Sequence, residues 1–529
     1  MRKIFLAAAV LLSALSAGAQ GVSEMLRFSQ YDYSMGTARS TAMGGAFTSL
    51  GADLSSMSIN PAGLGMYRSS DAGVSVSLAG NSMESGYSGL SSSDNRTRFS
   101  LSNFGVVFNS YQSSSSLTSF SIGFAYNKLA DFNTTQSFSG QTPLNSITEV
   151  FAEQLSGVSQ STLNKGGYTP FDDVSVDQWG GVLAWQTAIL DPATNGSGQE
   201  IDGAYTPFYN LDPEATVYNA MKNVSRGYVA EYDLSMGANI NNILYVGLTV
   251  GIQDVSYTNA NYYDESYSSY SDDYPLQSMM YDRHSKLTGT GINVKLGVIF
   301  RPVELLRIGV AYHSPTWLNL ESVNIDMMSA EYLGKTSQGM LDSPYLYNDI
   351  SMQTPSRFLA GASLTIPNIG IISADYERVW YQGMKMGYND GYDGYYGGIS
   401  YDRYFTDLAQ SMFTASDNFR FGVEVTPMEN VFIRGGYASY GSAFTYDDYV
   451  SPNGMPDKTS WTNISAGVGL RFGNTYFDIT YVHTVADYNV SDIFYTTYND
   501  GSGDVVIESG QFSTKLIRDA VTLTLGTRF

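Results

Sequence analysis

The sequence predicts an all-β chain: a fourteen-stranded antiparallel transmembrane β-barrel of the outer-membrane kind, with a small N-terminal segment plugging the lumen. Three observations carry this expectation. Apolar residues recur at every second position through fourteen segments. The connections between those segments alternate between tight turns and long polar loops. An export signal stands at the N-terminus.

Arg2 and Lys3 form a basic n-region, and Ile4 to Leu15 form an apolar h-region too short to span a bilayer. Ala17-Gly18-Ala19 has the small-x-small form of a cleavage site, so residues 1–19 read as a signal peptide and the mature chain starts at Gln20. No cysteine stands near that site, which excludes a lipoprotein anchor. The chain holds no cysteine at all, which also excludes thiolate metal sites and thiol catalysis. No run of eighteen apolar residues follows, which argues against a helical inner-membrane protein; a barrel gives no such peak. The expected location is the outer membrane of a Gram-negative bacterium. Without the two signal residues, the 28 Lys and Arg fall to 26 against 50 Asp and Glu, a net charge of −24 that disfavours nucleic acid as a partner.

Residues 20–68 precede the first strand. "MGTARSTAMGGAFTSLGADLSSMSINPAGLG" is rich in Gly, Ala, Ser and Met and poor in charge, which suits a compact plug better than a disordered tail. Within it, Asn60-Pro61 initiates a turn, because proline fixes its own φ and restricts the residue before it. Gly63 and Gly65 then admit backbone angles that other residues resist.

The strands occupy 70–79, 96–110, 116–132, 225–240, 243–258, 286–301, 305–320, 355–366, 369–382, 417–427, 431–441, 460–473, 475–488 and 515–529, together forming a barrel domain over 69–529. In "LTSFSIGFAYNKL", Phe120, Ile122, Phe124 and Tyr126 alternate with Ser119, Ser121, Gly123 and Ala125. In "DNFRFGVEV", Phe419, Phe421, Val423 and Val425 alternate with Arg420, Gly422 and Glu424. The phase slips between Leu101 and Phe104, which predicts a β-bulge. Tight turns fall at Tyr111 to Ser115, Asn241-Asn242, Pro302 to Glu304, Pro367-Asn368, Met428 to Asn430 and Gly473-Asn474; 133–224 is the longest of the long loops. The polar phase puts Glu231, Asp233, Arg307, Asp375, Arg420, Glu424, Arg471 and Asp478 toward the lumen, because a charged residue facing lipid near the midplane costs about 2–4 kcal/mol, less for acids. The chain ends in "AVTLTLGTRF", with Val521, Leu523, Leu525 and the terminal Phe529 on the lipid phase.

The stretch "GTARSTAMGGAFTSLGADLSSMSINPAGL" resembles the N-terminal hatch of the FadL/TodX family of outer-membrane transporters of hydrophobic compounds, in a Bacteroidetes-type member. The matching positions are Gly36, Arg39, Gly44, Gly45, Asp53, Asn60, Pro61 and Ala62, of which Arg39, Asp53, Asn60, Pro61 and Ala62 make the hatch motif. "RIGVAYHSP" (Arg307 to Pro315) and "FRFGVEVTPMENVFIRGGY" (Phe419 to Tyr437) resemble later strand pairs of that family. The resemblance implies a monomer that passes a hydrophobic small molecule, such as a long-chain fatty acid, into outer-membrane lipid. Long loops capture the ligand, a pocket beside the hatch receives it, and a gap at a kinked strand, usually the third, releases it sideways. In that reading Asn60-Pro61-Ala62 holds the hatch against the wall. The substrate-binding residues of the family align to no single positions here. A barrel of the same shape that docks exported proteins at its long loops, as the shuttle of a Bacteroidetes secretion system does, is the alternative.

No enzyme, cofactor or metal is expected. The only histidines are His284, His313 and His483, and no GxSxG accompanies them. A haemin receptor would need ligand spacing that these residues lack. "NYYDESYSSYSDDYP" (Asn261 to Pro275) and "GYNDGYDGYYGGISYDRYF" (Gly387 to Phe405) set Asp264, Glu265, Asp272, Asp273, Asp390 and Asp393 among tyrosines. Their spacing matches no Ca²⁺ loop, so they read as solvated surface.

Overall fold

The structure, a computed structural model, describes residues 24–111, 116–142, 145–207, 216–270, 275–334, 337–388, 401–445, 460–499 and 504–529. The signal peptide, Asp272, Asp273, Asp390 and Asp393 lie outside the described residues. Fourteen strands form the wall. They are β1 (Asp71–Tyr87), β2 (Leu90–Tyr111), β3 (Leu117–Asp131, continued by Thr134–Thr142), β4 (Val217–Ile240), β5 (Leu244–Tyr267), β6 (Leu276–Phe300) and β7 (Leu306–His313, continued by Trp317–Tyr332). Then follow β8 (Leu346–Gln353 and Arg357–Ile366), β9 (Gly370–Trp380 and Lys385–Tyr388), β10 (Ala415–Met428), β11 (Val431–Tyr440), β12 (Ser460–Phe472), β13 (Thr475–Asp492) and β14 (Gln511–Arg528). Neighbours pair antiparallel, and β14 pairs back onto β1 from Asp71 opposite Arg528 to Tyr87 opposite Phe512. The barrel is closed, and each span read from the sequence lies on one of these strands.

Two features differ from the expectation. The strands run further than the apolar alternation, as in β4 and β5 with 24 residues each and β6 with 25. The first connection is one continuous hairpin, closed at Ser88 and Gly89 with φ of 49° and 77°. The extensions interleave scattered apolar side chains such as Met83, Tyr263 and Tyr281 with polar residues, so no clean period of two marks them. The predicted bulge is present: Ser75 pairs with Asn103 and Val76 with Leu101, which leaves Ser102 extra. Asn241 and Asn242 both take φ of 56°, the left-handed pair that a two-residue hairpin turn requires.

The outward face is a belt of exposed apolar side chains, such as Phe419, Phe421, Val423 and Val425 on β10 and Leu234 and Met236 on β4. Tyr232, Tyr312, Tyr437 and Tyr481 mark its border toward the long loops, and Phe108, Phe300, Phe472 and Phe529 mark the other. Only hydrocarbon covers an apolar surface of this extent, with aromatic rings at both edges. All eight charged residues assigned to the lumen lie on the inward phase, and Glu231, Asp233 and Arg420 are fully buried.

Residues 24–67 fill the lumen. They include the helices α1 (Ala38–Ala42) and α2 (Ser56–Ile59) and a 3-10 turn over Pro61–Met66, and Phe28, Met43, Phe47, Met57 and Leu64 among them are fully buried. The long 133–224 connection is folded as well. Its described part carries α3 (Ile147–Gln154), α4 (Trp179–Gln186) and the hairpin Leu190–Thr194 with Glu200–Pro207. Phe151, Leu183 and Leu155 pack there against Tyr281, Met328 and Tyr332 on the projecting ends of β6 and β7.

One carboxylate locks this cap. Glu265, fully buried on the projecting end of β5, accepts from Ser146 Oγ (2.5 Å), the Ile147 amide (2.8 Å), Tyr263 Oη (2.5 Å) and Tyr267 Oη (2.9 Å), and so anchors the start of α3. Burial, and then the neighbouring Glu265 charge, push Glu149 up to about 7. A carboxylate raised on folding stabilises the fold below its unfolded value near 4.5, and that contribution is lost as pH rises through about 7. Glu149→Gln is therefore expected to stabilise the cap at pH 8 and to change it little at pH 4.5. Proteolysis of the cap across that range checks this, and an equal effect at both pH values would contradict it.

Candidate functional site

The lumen segment is seated on glycines of the wall. Gly237, Gly247 and Gly297 pair in register across β4, β5 and β6 and form a shallow row beneath the Pro61–Met66 turn. A Cβ on Gly247 would overlap the Pro61 carbonyl carbon, one on Gly297 would overlap Asn60 Oδ1, and one on Gly237 would come within 2.6 Å of Leu64 Cβ. Gly309 accepts the Thr48 backbone in the same way, and Gly422 and Gly436 accept Met43 and Gly44, while Gly361, opposite Gly309, makes room for Asp375 Oδ1. Strand glycine of this kind marks close approach of another backbone.

Asn60 joins the segment to the wall. Its Oδ1 caps the turn by accepting from the Ala62 amide (3.1 Å), and its Nδ2 donates to Thr48 O (2.6 Å) and approaches Val298 O (3.5 Å) and Val310 O (3.4 Å). Pro61 stands at the first position of the turn, where its missing N–H leaves nothing unsatisfied. Asn60→Ala would orphan the buried Ala62 amide and Thr48 carbonyl, at a cost of about 1–3 kcal/mol. Faster proteolytic cutting within 24–67, with the barrel still folded, is the expected outcome.

Charged groups make the second set of contacts. Arg39 donates to Glu424 (3.2 Å), which also accepts from Arg434 (2.6 Å), and Arg434 pairs with Asp478. Asp53 accepts from Thr37 Oγ1 (2.8 Å) and the Ser55 amide (2.9 Å), so it braces the segment internally. Arg39 and Asp53 line a small polar cavity with Asp71, Arg434, Arg471 and Tyr476. Higher in the lumen, Glu377 binds Arg357 (3.3 Å) and Arg420 (3.0 Å), whose guanidinium groups lie over the rings of Tyr31 and Tyr33 at 3.9 Å and 4.6 Å. Lys295 is bound by Glu231 and by Asp233 (3.1 Å).

The third element is a break in the wall. β2 pairs with β3 only from Asn103 opposite Asn127 to Tyr111 opposite Ser119; above that, residues 90–102 pair with β1 alone. β3 is interrupted at Phe132 and Asn133, and its continuation still pairs with β4. The continuation crosses toward the inner face of β1 and β2, where Phe138 stacks on Phe512 (4.5 Å) and lies 5.4 Å from Tyr87. Gly227 makes room on β4: its φ is 132°, a Cβ would overlap Ser256 O, and its carbonyl accepts from the Phe132 amide (3.0 Å) and Asn133 Nδ2 (3.2 Å). Beside the break, Phe28 of the lumen segment, Phe132 and Tyr257 meet at centroid distances of 5.5–5.9 Å.

A crystal structure of a Pseudomonas aeruginosa FadL homologue aligns over 94% of this chain and 98% of its own, with 11% identity and a TM-score of 0.50. The chain has the FadL-type barrel fold. The Ralstonia pickettii toluene transporter TbuX aligns with 15% identity, 93% and 98% coverage and a TM-score of 0.49. The P. putida toluene transporter TodX aligns with 11% identity, 95% and 99% coverage and a TM-score of 0.49. No family model matches the chain. No curated protein matches it either.

Within this FadL-type barrel the motif residues divide into two places. Asn60, Pro61 and Ala62 meet the glycine row, whereas Arg39 and Asp53 lie at the polar cavity. His313 is buried in the lumen with Nε2 2.9 Å from Ile59 O, and His483 is on the outer face, 2.8 Å from Asp519. Asp264 and Glu265, adjacent on one strand, point to opposite faces, and the described residues hold no group of three metal-ligand side chains. Sequence reasoning missed Phe28, Phe132, Gly227, Glu377 and Lys295. The signal for the seat was present, since "VGLTVG" and "KLGVIF" place glycine on the inward phase, but their register was not.

Proposed function

We propose that this chain is a monomeric, non-enzymatic outer-membrane transporter that passes hydrophobic small molecules, such as long-chain fatty acids, passively, with residues 24–67 as its hatch. The short turns face the periplasm and the folded cap faces outward, the usual orientation of such barrels. One observation carries the reading: a continuous apolar cluster runs through the lumen to the break. It starts at α5 (Arg403–Met412) near the cap end with Phe405 and Ala409, continues through Phe413, Met384, Met386 and Met352, and reaches Met25, Phe28, Leu129 and Ala130. Methionine side chains repack at low cost and open a path without leaving polar groups bare. A sideways exit at β3 keeps an apolar ligand out of periplasmic water.

Native mass spectrometry with lipid extraction, on protein purified from its own outer membrane, tests this. Bound apolar molecules are expected in the wild type and are expected to be lost in Phe132→Lys, which puts a charge beside Phe28 and Tyr257. A folded Phe132→Lys barrel that keeps the wild-type complement would refute the path. An empty wild-type barrel with a stoichiometric protein at the cap would favour the docking alternative.

A further inference from the structure

The outward face of β4, β5 and β6 carries polar groups of its own, above the apolar belt and on the far side of the wall from the lumen. Arg226, Thr258 and Lys286 stand in one row across the three strands, since Arg226 pairs with Thr258 and Thr258 with Lys286. They share the outward phase of Tyr232, Ile252 and Ile292, which belong to the belt. Both cations are exposed, and among the described residues neither is in an ion pair. Glu321, diagonal to Lys286 on β7, is exposed as well and is not bonded to it. Two strand spacings of about 4.8 Å set Arg226 and Lys286 about 10 Å apart, so their long side chains can close on one anionic group over the Thr258 hydroxyl.

Higher on the same face, Tyr262 pairs with Asp282, and His284 stands between Asp282 and Lys286 along β6. Asp282 is only 6% exposed, and its Oδ1 has no hydrogen-bond partner. His284 Nε2 is buried without a partner too, and the ring lies edge-on to Tyr262 at 5.5 Å. Buried polar atoms are ordinarily satisfied, so an open carboxylate oxygen and an open ring nitrogen two residues apart on an outer wall point to groups supplied from outside the chain. From Tyr232 to Arg226 is about 20 Å along the strand, or about 15 Å along the barrel axis at a tilt of about 40°. At that height a neighbouring lipid presents its head. In the outer leaflet of a Gram-negative outer membrane that head is a phosphorylated, carboxylate-bearing oligosaccharide. A chain of net charge −22 repels such a head on average, and unneutralised cations in register on the wall are what would hold one.

We infer that the outer wall over β4 to β6 binds a glycolipid of the surrounding leaflet. Arg226, Lys286 and the Thr258 hydroxyl take a phosphate or carboxylate of its head, because guanidinium and ammonium groups donate strong hydrogen bonds to such oxygens. Above them Tyr262 offers a ring face to a sugar, and Asp282 and His284 offer their open atoms to its hydroxyls. This lipid packs around the barrel and is not the molecule that passes through it. The inference rests on the proposed outer-membrane location and orientation, and on no part of the transport path.

The probe is a fluorescently labelled lipopolysaccharide truncated to lipid A and its inner sugar acids, titrated against the full-length barrel in uncharged detergent. EDTA is present, so that no divalent cation bridges the head to carboxylates. The variant R226Q/K286Q is expected to weaken binding about tenfold or more, since hydrogen bonds to charged groups are worth about tenfold each. R226K/K286R exchanges the two cations and is expected to keep most of the affinity, and Tyr262→Ala is expected to weaken it severalfold with the charges untouched. K165Q/R403Q removes two exposed cations from the cap and the mouth and is expected to leave binding unchanged. The mobility shift in unheated gels confirms that each variant is a folded barrel. No binding by the wild type, equal affinities for wild type and R226Q/K286Q, or the same loss in both Gln variants would overturn the site. The transport reading fails separately: a wild-type barrel that carries no apolar molecule would sink that reading and leave the wall site standing.

Discussion

Gly247→Val is expected to expel the hatch from a barrel that still forms. Position 247 faces the lumen on β5, and a Cβ there would overlap the Pro61 carbonyl carbon and the Ala62 nitrogen. Both are backbone atoms, so no rotamer relieves the overlap. The row cannot yield sideways either, because Gly237 and Gly297 on the flanking strands are covered by Leu64 and Asn60. Overpacking a relaxed core costs about 1–3 kcal/mol, and a fixed backbone puts this substitution at or beyond the upper end. Valine suits a strand, so the wall itself is not weakened. Trypsin should therefore cut at Arg27 and Arg39 in the variant while the barrel keeps the mobility shift of a folded barrel in unheated gels. Leu248→Val, one residue along on the outward phase, serves as the control. Protection of residues 24–67 equal to that of the wild type would show that the glycine row is not the seat.

Lys295→Met is expected to destabilise the barrel by about 3–5 kcal/mol, the cost of leaving buried charge without its partner. Two fully buried carboxylates, Glu231 and Asp233, depend on this one ammonium group. Amides satisfy part of the remainder: Asn293 Nδ2 and Gln253 Nε2 donate to Glu231 (2.7 and 3.1 Å), and Asn127 Nδ2 donates to Asp233 (2.9 Å). Those donors orient the carboxylates but carry no charge to take the place of the ammonium group. The network also touches the hatch, since Gln253 donates to Tyr31 Oη (2.8 Å). Urea unfolding in micelles measures the loss. The triple replacement Glu231→Gln, Asp233→Asn, Lys295→Met leaves no ionisable group in the cluster and is expected to regain most of it. A single substitution that cost under about 1 kcal/mol would mean that water already reaches the cluster and screens it.

The residues differ in how far their roles were legible. The inward phase of Arg420, Glu424 and Asp478 followed from simple alternation with Phe421 and Val425, because a strand's two faces are set by neighbours in the chain. The bulge at Ser102 was visible for the same reason, as a slip in that phase. The break was not. "DFNTTQ" (Asp131 to Gln136) reads as the polar start of a loop, and its kink depends on Gly227, which lies on another strand far along the chain. The folded cap was hidden because its apolar residues, Phe151 and Leu183 among them, are scattered through a polar stretch and find their partners on β6 and β7.

The sequence by itself determined the strand count, the lipid and lumen phases, the alternation of short turns and long connections, and a small-residue segment fit to enter the lumen. All of these depend on residues within a turn or two of each other, and a period of two records them directly. Only the tertiary structure decided which glycines form a row under Asn60 and Pro61, where the wall opens, and that Phe28, Phe132 and Tyr257 meet at that opening. Those follow from the register between strands and from the fit of one segment inside the closed barrel. Contacts between residues this far apart in the chain leave no trace in local periodicity.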